Sequence, residues 1–340
     1  MSLRLSIIVH AYKVEDYIEK CIRSLEDQDI PKTDYEIIVT NDGSPDRCKE
    51  IVESLQKEFS NIVLVDQENQ GVSMARNNAI AIAKGKYILP IDPDDYIVSN
   101  TLGGILKIAE TKDLEVMYLG FEIFDSQNVS IWSTDYSQQE KRLFSGTEGY
   151  YAARGHGIKD PDRSCAMLFC MSLLKKYEIA YPKGVPFLED GLFIGKVLSV
   201  SSRVGFDNNR FYQRTTRLGS ATNSKLFYSE SSTIGFRKAI LDLKEFELQL
   251  KNENRPLELL NHLHAKFLLH LLAPSASSLD YKTFKKVATL IEKEDLSLKS
   301  KIGLGKVNRK LISVFSFSKW LFFLFYPFYI RKRNRTSSRL

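Results

Sequence analysis

Residues 3–12 of the chain read LRLSIIVHAY. The apolar, β-branched part of this stretch, residues 3–9, is typical of a strand that is buried on both faces of a sheet. A helical stripe follows over residues 15–28, and the order then repeats with a β-like run over 35–40 and a helical stripe over 48–59. Strands that alternate with helices in this way are predicted to lie parallel in one sheet.

The alternation continues as far as residue 121. Further strands are predicted over residues 62–65, 86–91 and 116–121, and further helices over residues 73–83 and 100–110. The pattern predicts a doubly wound α/β sheet, which binds its ligands outside the carboxyl ends of its strands. Short strands and glycines follow up to residue 220, and helical patterns then cover residues 234–250, 256–272 and 281–292.

Acidic side chains cluster where two of the predicted strands end. The second strand is followed by Asn41-Asp42-Gly43-Ser44-Pro45-Asp46, and a later one by Asp92-Pro93-Asp94-Asp95. Each cluster alone also resembles a turn or a helix cap. Carboxylates this close repel one another unless a cation neutralises them, and hard divalent cations accept such ligands while leaving positions for phosphate. We therefore predict an Mg²⁺ or Mn²⁺ site that binds a diphosphate.

Six motifs, taken in order, resemble those of glycosyltransferase family 2, the inverting enzymes with a GT-A fold. They are residues 6–12 (SIIVHAY), 36–44 (EIIVTNDGS), 71–77 (GVSMARN), 92–95 (DPDD), 187–190 (FLED) and 212–214 (YQR). The resemblance implies a doubly wound, mostly parallel GT-A sheet and a nucleotide-sugar donor. It also implies transfer of the sugar with inversion at its anomeric carbon.

The resemblance implies roles for individual residues as well. The donor nucleotide is expected to contact Ala11, Tyr12, Asp42, Arg76, Asp92, Arg214, Arg217 and Ser220. Tyr12 and Asp42 would hold the base, with Asp42 accepting a hydrogen bond from a uracil N–H group. Asp92 would contact the ribose and Arg76 would face the diphosphate. Arg214, Arg217 and Ser220 would close over the diphosphate once the donor is bound.

The resemblance also implies a metal ligand and a catalytic base. Asp94 is the expected metal ligand, with Asp95 as a second candidate. Asp190 is the expected base, with Glu189 as a second candidate. These roles suit the chemistry, because sugar transfer passes through an oxocarbenium-like state while negative charge builds on the leaving diphosphate. A metal ion stabilises that charge, and a carboxylate takes the proton of an acceptor hydroxyl.

Some residues depart from the family pattern or have a simpler interpretation. His10 and Lys13 replace the family's usual proline and asparagine, and Cys165 replaces a tryptophan on the acceptor side. Arg76 could instead be exposed on the surface, and Asp190 could cap a helix that starts beside it. The four cysteines form no CxxC pair, which favours small buried hydrophobes over a zinc or redox site.

The C-terminal segment, residues 299–340, has a composition of its own. It holds 11 of the 48 Lys and Arg residues and no Asp or Glu, which leaves 37 basic and 42 acidic residues elsewhere. Its apolar run from Trp320 to Ile330 is shorter than the roughly 20 residues that span a membrane, and Pro327 interrupts it. Aromatic and basic residues in this order favour an anionic membrane surface, and the alternative is a helix packed on protein. Nucleic acid is disfavoured because the body is acidic.

These observations predict a non-processive inverting glycosyltransferase that is cytoplasmic and peripheral on the inner face of the cell membrane. The donor is expected to be a UDP-sugar, and the acceptor a saccharide or lipid-linked saccharide in cell-surface polysaccharide synthesis. We expect a GT-A domain over residues 1–220, with a nucleotide-sugar half over 1–120 and an acceptor half over 121–220. A helical region over 221–298 and the tail would follow.

Two alternatives belong to other functional classes. One is a catalytically silent relative that acts as a membrane-associated partner or scaffold, and only a turnover assay separates it from an enzyme. The other is a nucleotidyltransferase, which needs a Gly-rich basic loop directly after the first strand. His10-Ala11-Tyr12-Lys13 is not such a loop, and the GxGxxG sequence of a dehydrogenase is absent there too.

Overall fold

The computed structural model of the chain describes residues 3–154, 162–215 and 230–337. These residues form two compact units. The first comprises the described residues up to 183 and from 188 to 215, and the second comprises residues 184–187 and 230–337. The first unit contains the predicted sheet, and the second is helical.

Strands and helices are numbered in chain order. The strands are β1 (Leu5–Ala11), β2 (Tyr35–Asp42), β3 (Ile62–Gln67), β4 (Tyr87–Ile91), β5 (Tyr96–Ile97), β6 (Val116–Tyr118), β7 (Phe121–Phe124), β8 (Ser130–Ser133), β9 (Met167–Cys170), β10 (Val204–Phe206) and β11 (Tyr212–Thr215). The helices are α1 (Ile18–Glu26), α2 (Cys48–Glu58), α3 (Val72–Ile82), α4 (Leu102–Thr111), α5 (Gly146–Arg154), α6 (Met171–Lys176), α7 (Glu189–Val200), α8 (Glu230–Asn252), α9 (Glu258–Ser277), α10 (Tyr281–Lys293), α11 (Lys306–Phe317) and α12 (Lys319–Ser337), with a 3₁₀ turn over Gln139–Lys141.

The main sheet has seven strands in the order β10-β6-β9-β4-β1-β2-β3. All neighbours are parallel except β9, which runs antiparallel to both β4 and β6. Ile7 and Ile8 of β1 point to opposite faces, and both are at most 1% exposed, so both faces of the sheet are covered. The prediction of a doubly wound, mostly parallel sheet is confirmed.

Three predicted site residues leave the sheet at one edge. Ala11 lies opposite Asn41 in the β1–β2 pair, and Val9 lies opposite Ile91 in the β1–β4 pair. Because these strands are parallel, the residues that follow them, Tyr12 and Asp92, lie at the same edge as Asp42. This is the carboxyl edge, where ligands are expected.

A second, smaller sheet has four strands in the order β5-β11-β7-β8. The predicted strand over residues 116–121 is divided between the two sheets, because the chain leaves β6 at Leu119 and Gly120 and enters β7 at Phe121. A Cβ atom at Gly120 would lie 1.8 Å from the carbonyl oxygen of Asn209, so only glycine allows this close crossing. β11 pairs with both β5 and β7, which brings Tyr212 next to the turn that contains Asp94 and Asp95.

The second unit is built around α9, which contacts α8, α10, α11 and α12. The buried side chains of α9 lie all round that helix. In contrast, α10 buries only Phe284, Ala288 and Ile291, which lie on one face. Asp280 caps α10 by accepting a hydrogen bond from the Thr283 N–H. None of the helices in the described part of the chain is long and apolar enough to cross a membrane.

Two helical glycines of the first unit provide a matched test of how its helices pack. A Cβ atom at Gly146, the first residue of α5, would lie 1.8 Å from the carbonyl oxygen of Leu198 in α7, whereas one at Gly104 in α4 meets nothing within 4 Å. We expect Gly146→Ala to lower the free energy of unfolding by roughly 1–3 kcal/mol or more, because backbone must move. Gly104→Ala should raise it by about 0.5–1 kcal/mol through helix propensity. Denaturant titrations of both variants measure the difference, and equal effects would contradict the packing.

Candidate active site

The loops that follow β1 and β2 are joined by hydrogen bonds. The Lys13 N–H donates to Ser44 Oγ at 2.7 Å, and Ser44 Oγ donates to Asp46 Oδ1 at 2.5 Å. Lys13 adopts a left-handed backbone, with φ 55°. Ala11 is buried, but the Tyr12 side chain is 40% exposed at this edge, so its ring is available to a ligand.

Asp42 is buried at the end of β2 and holds the start of α3. Its Oδ1 accepts from Gln67 Nε2 at 2.7 Å and from the Gln70 N–H at 2.8 Å, and its Oδ2 accepts from the Gly71 N–H at 2.9 Å. Gly71 precedes α3 with φ 85°, a conformation that favours glycine. Oδ2 keeps acceptor capacity for one more donor, because each carboxylate oxygen has two lone pairs.

Arg76, in α3, is buried between carboxylates. Its Nη1 donates to Asp190 Oδ1 at 2.9 Å and its Nη2 donates to Asp92 Oδ1 at 3.0 Å, while Glu189 Oε1 lies 3.7 Å from Nη1. The guanidinium also lies over the Tyr181 ring, 5.0 Å from its centroid. The alternative of an exposed surface arginine is therefore wrong.

The carboxylates are more open than the arginine that joins them. The side chains of Asp92 and Asp190 are 31% and 19% exposed, against 6% for Arg76. A ligand at this edge can therefore reach the two carboxylates, while Arg76 lies behind them. The predicted contact between Arg76 and a diphosphate stays a prediction.

Asp190 lies in the first turn of α7 and does not cap it. The helix begins at Glu189, its N-cap is Leu188 with φ 62°, and the cap position makes no side-chain hydrogen bond. Asp190 Oδ1 instead accepts from Ser164 Oγ at 2.8 Å as well as from Arg76. The alternative of a helix cap is wrong, because the Asp190 carboxylate is hydrogen-bonded to Arg76 and Ser164 and not to the backbone of its own helix.

The site shifts the pKa values of its carboxylates in opposite directions. Burial raises the pKa of Asp190 and outweighs the attraction of Arg76, and burial together with the charge of Asp190 raises the pKa of Glu189 to about 8. Burial also acts on Asp92, but there the charges of Arg76 and then His10 outweigh it and lower its pKa. Groups whose pKa values diverge in one cleft are typical of acid–base sites.

The Asp94–Asp95 turn is fastened to β11. Asp95 Oδ2 accepts from Tyr212 Oη at 2.7 Å and Asp95 Oδ1 accepts from the Thr215 N–H at 2.9 Å, while Thr215 Oγ1 donates to the Asp94 carbonyl at 2.6 Å. Arg214, in the same strand, is close enough for its charge to lower the pKa of Asp92. Arg217 and Ser220 lie outside the described residues.

The turn from Asp92 to Asp95 is rich in carboxylates. Burial and the charges of Asp92 and Asp94 raise the pKa of Asp95 to about 8, so negative charge is in excess here. Across the described ranges, no three His, Cys, Asp or Glu side chains are arranged as a complete metal cage. One or two protein carboxylates, completed by substrate phosphates and water, are what Mg²⁺ and ions like it usually take.

Sequence reasoning did not identify several residues of the site. Ser164 precedes β9, and because β9 is antiparallel, the residues before it lie at the carboxyl edge of β4. The Asn77 side chain makes two hydrogen bonds to the backbone of Tyr181. Its Nδ2 donates to the Tyr181 carbonyl at 2.9 Å, and its Oδ1 accepts from the Tyr181 N–H at 2.8 Å. Asn77 stands next to Arg76 in its motif, which was a usable signal; Ser164 had none.

The four cysteines are free thiols, and three of them are buried. Cys21 and Cys165 lie beside Asp92, and the Cys21 thiol donates to the Asp92 carbonyl at 3.7 Å. Burial raises the pKa of both thiols well above the usual value. They therefore behave as the small buried side chains that the spacing favoured.

Comparisons with known proteins agree with this geometry. The family model described as Glycosyl transferase family 2 matches residues 6–175, half of the chain. The uncharacterized glycosyltransferase EpsJ of Bacillus subtilis is 44% identical over 116 residues, 34% of this chain and 33% of EpsJ. The poly(ribitol-phosphate) beta-N-acetylglucosaminyltransferase TarS of Staphylococcus aureus is 26% identical over 250 residues, 72% of this chain and 42% of TarS. The chain thus spans less than half the length of either relative.

Solved structures share the fold. TarS 1–349 of S. aureus in complex with UDP-GlcNAc matches with a TM-score of 0.66 at 21% identity, covering 92% of this chain and 87% of that one. The mannosyltransferase PcManGT of Pyrobaculum calidifontis, in complex with GDP-Man and Mn²⁺, matches with a TM-score of 0.52 at 14% identity, covering 95% and 86%. The predicted GT-A fold is confirmed.

The raised pKa of Glu189 predicts how stability depends on pH. A carboxyl group whose pKa is about 8 when folded and 4.5 when unfolded stabilises the fold fully below pH 4.5, and that contribution is lost as pH rises towards 8. We expect Glu189→Gln to gain roughly 1–3 kcal/mol over the wild type between pH 5 and pH 8. Denaturant titrations at both pH values measure this, with exposed Glu53→Gln as the control for one lost charge. Parallel pH curves for wild type and Glu189→Gln would contradict it.

Proposed function

The chain belongs to glycosyltransferase family 2, and from this premise we propose that it transfers a sugar from a nucleotide-diphosphate donor to an acceptor hydroxyl with inversion. The observation that carries the proposal is the pair of carboxylates, Asp92 and Asp190, which the buried guanidinium of Arg76 holds at the carboxyl edge of the sheet. A donor beside one carboxylate and an acceptor beside the other would meet there.

Asp190 is the proposed catalytic base. An acceptor hydroxyl is a weak nucleophile at neutral pH, so a positioned carboxylate must take its proton. The raised pKa of Asp190 makes it a stronger base than an exposed aspartate, and the hydrogen bonds from Arg76 and Ser164 fix its Oδ1. Its Oδ2 would accept the proton as the hydroxyl oxygen bonds to the anomeric carbon. The bond from that carbon to the diphosphate breaks, and a single displacement inverts the centre.

The diphosphate and metal would lie on the other side of the sugar. Asp94 is the proposed metal ligand, with the Asp95 side chain holding the turn through Tyr212 and Thr215. A bound Mn²⁺ or Mg²⁺ would supply positive charge for the leaving diphosphate. Arg214, Arg217 and Ser220 are the proposed contacts to the diphosphate from the segment that follows β11.

A UDP-sugar is the proposed donor. Asp42 Oδ2 has acceptor capacity for a uracil N–H, and the exposed Tyr12 follows the neighbouring strand β1 at the same edge of the sheet. Asp92, ionised because its pKa is lowered, would accept from a ribose hydroxyl. The UDP-GlcNAc complex of TarS supports this choice of donor class.

The proposed acceptor is a saccharide or lipid-linked saccharide in cell-surface polysaccharide synthesis, reached at the inner face of the membrane. The poly(ribitol-phosphate) transferase TarS among the relatives supports this class of pathway. The proposed domain roles follow: the donor half over residues 1–120, the acceptor half over 121–220, and the helical residues after 220 on the acceptor or membrane side.

Nucleotide binding tests the donor site. We expect UDP, but not GDP, dTDP or CMP, to raise the melting temperature in the presence of Mn²⁺, because a ligand at 100 times its Kd adds about 2.7 kcal/mol of stability. Chelation should remove most of the shift. In Asp94→Asn, the Mn²⁺-dependent part of the shift should be lost while a smaller metal-free shift remains. Differential scanning fluorimetry measures all of these, and the absence of any shift would contradict the nucleotide site.

A substitution at the base tests the chemistry. Asp190→Asn should lower the rate of UDP release from UDP-sugars by roughly 10²–10⁴-fold, because the acceptor proton then has no positioned base. Ser164→Ala removes one of the two donors to Oδ1 and should cost a smaller part of the rate.

Both variants should keep the UDP-induced melting shift, which separates loss of chemistry from loss of folding or binding. Undiminished turnover in Asp190→Asn would remove this residue from the mechanism. A wild-type protein that binds UDP but releases none from UDP-glucose or UDP-N-acetylglucosamine, with any saccharide acceptor, would favour the silent-partner alternative.

A further inference from the structure

Residues 320–330 of helix α12 are apolar on two opposite sides. On one side it buries Phe322, Phe323 and Tyr326. On the other side Trp320, Leu324 and Phe328 are exposed at the i, i+4, i+8 spacing of one helix face, and Phe325 next to them is exposed as well. A helix that is apolar all round is normally covered all round, by protein or by lipid. Within the described residues, only one side of α12 is covered by protein.

The buried side fixes the helix to its unit. Phe322 stacks on Phe284 of α10, with centroids 6.1 Å apart and planes at 15°, and on Tyr326, with centroids 5.0 Å apart. Phe323 meets the edge of Tyr281 at 5.1 Å. The backbone of α12 also contacts α9 and α11. α12 is therefore packed on the rest of its unit through one side, and the other side faces outwards.

Phe317, the last residue of α11, is 83% exposed, and the extended residue Ser318 separates it from α12. We call Phe317, Trp320, Leu324, Phe325 and Phe328 the apolar face. Its part in α12, from Trp320 to Phe328, runs along roughly 12 Å of the helix at about 1.5 Å per residue. Large aromatic side chains gathered in this way mark an interaction site on a protein surface.

Charge indicates what covers the apolar face. Residues 299–340 carry 11 Lys and Arg and no Asp or Glu. Lys306, Arg309 and Lys310 are exposed on α11, and the basic residues Arg331, Lys332, Arg333 and Arg335 follow the apolar run in sequence. A second copy of the segment would bring a second set of cations with no acid to pair them. An anionic surface pairs with them directly, at roughly 1 kcal/mol for each basic residue near it.

We propose that the apolar face docks α11 and α12 into the interface of a membrane that contains anionic lipids, with α12 in the plane of the membrane. Trp320 and the phenylalanines would enter the boundary between head groups and acyl chains, where aromatic rings are favoured. The lysines and arginines would remain at the head groups. α12 would lie on the membrane and not cross it. The proposal deepens the proposed function, because such docking would hold the enzyme beside a lipid-linked acceptor.

Trp320 makes insertion directly measurable. The chain has two tryptophans, Trp132 and Trp320. In the Trp132→Phe variant of this chain, Trp320 is the only tryptophan, and excitation at the red edge of the absorption band selects it over the tyrosines. We expect its emission to move to shorter wavelength with vesicles of phosphatidylcholine and phosphatidylglycerol, and to be quenched by brominated acyl chains. Pure phosphatidylcholine should give a much weaker change, and added salt should weaken the anionic response. Unchanged emission with anionic vesicles would overturn the proposal, and equal changes with both vesicle types would overturn the role of charge.

A matched pair of variants tests the face itself. In Phe325→Ser/Phe328→Ser, partitioning onto anionic vesicles should fall about tenfold or more, because two large apolar groups are lost. Leu241→Ser/Leu248→Ser, at two exposed leucines of α8, removes a similar apolar area elsewhere on the same unit and should change little. Co-sedimentation measures both, and equal binding by the two variants would overturn the proposal.

Two controls separate the possible failures. Melting temperature and the UDP-induced shift should be the same in both double variants, so loss of vesicle binding is distinguished from unfolding and from failure of the donor site. Light scattering after size exclusion tests the other occupant. A dimer that the Phe325→Ser/Phe328→Ser change dissociates would assign the apolar face to a second copy of the chain and overturn the membrane.

Discussion

The buried guanidinium of Arg76 joins three segments of the first unit that carry the residues proposed for sugar transfer. Arg76 comes from α3, Asp92 from the end of β4, and Asp190 from the start of α7. A buried cation is unfavourable unless it is paired, and removing one partner of such a group typically costs 3–5 kcal/mol. The carboxylates are equally dependent on the arginine, since three of them share it at short range. The requirement to neutralise this cluster fixes how three distant segments meet.

Much of this arrangement could be predicted from local sequence. The strands up to β4 are continuous apolar runs separated by helical stripes, and parallel pairing then brings Tyr12, Asp42 and Asp92 to one edge without further information. Asp190 was identifiable through its motif. Its helix-cap alternative could be rejected only in three dimensions, because the helix starts at Glu189, two residues earlier than a cap at Asp190 would require.

The remaining parts of the site depend on long-range pairing. β9 runs antiparallel in the main sheet, so Ser164 and Cys165 lie at the carboxyl edge although they precede a strand. The rule for parallel sheets predicts ligand contacts only from residues that follow a strand. Likewise, β5 and β11 are separated by 114 residues yet pair, and the contact of Tyr212 with Asp95 exists only because they do. No periodicity in a single segment specifies such a partner. The same holds for α12, whose apolar residues 320–330 lie on both of its sides and whose covered side is the one that meets the aromatic rings of α10.

The hydrogen bonds from Asp42 to the start of α3 have a consequence for how such an enzyme can diversify. The carboxylate that is proposed to read the base also anchors the start of the helix that carries Arg76, little more than a turn further on. A change at Asp42 is therefore expected to move Arg76 and to disturb the proposed catalytic residues along with recognition. Tyr12, exposed on a loop after β1, is tied to neither. New nucleotide preferences would therefore evolve more readily through the loop after β1, where variation is not penalised by the reaction centre.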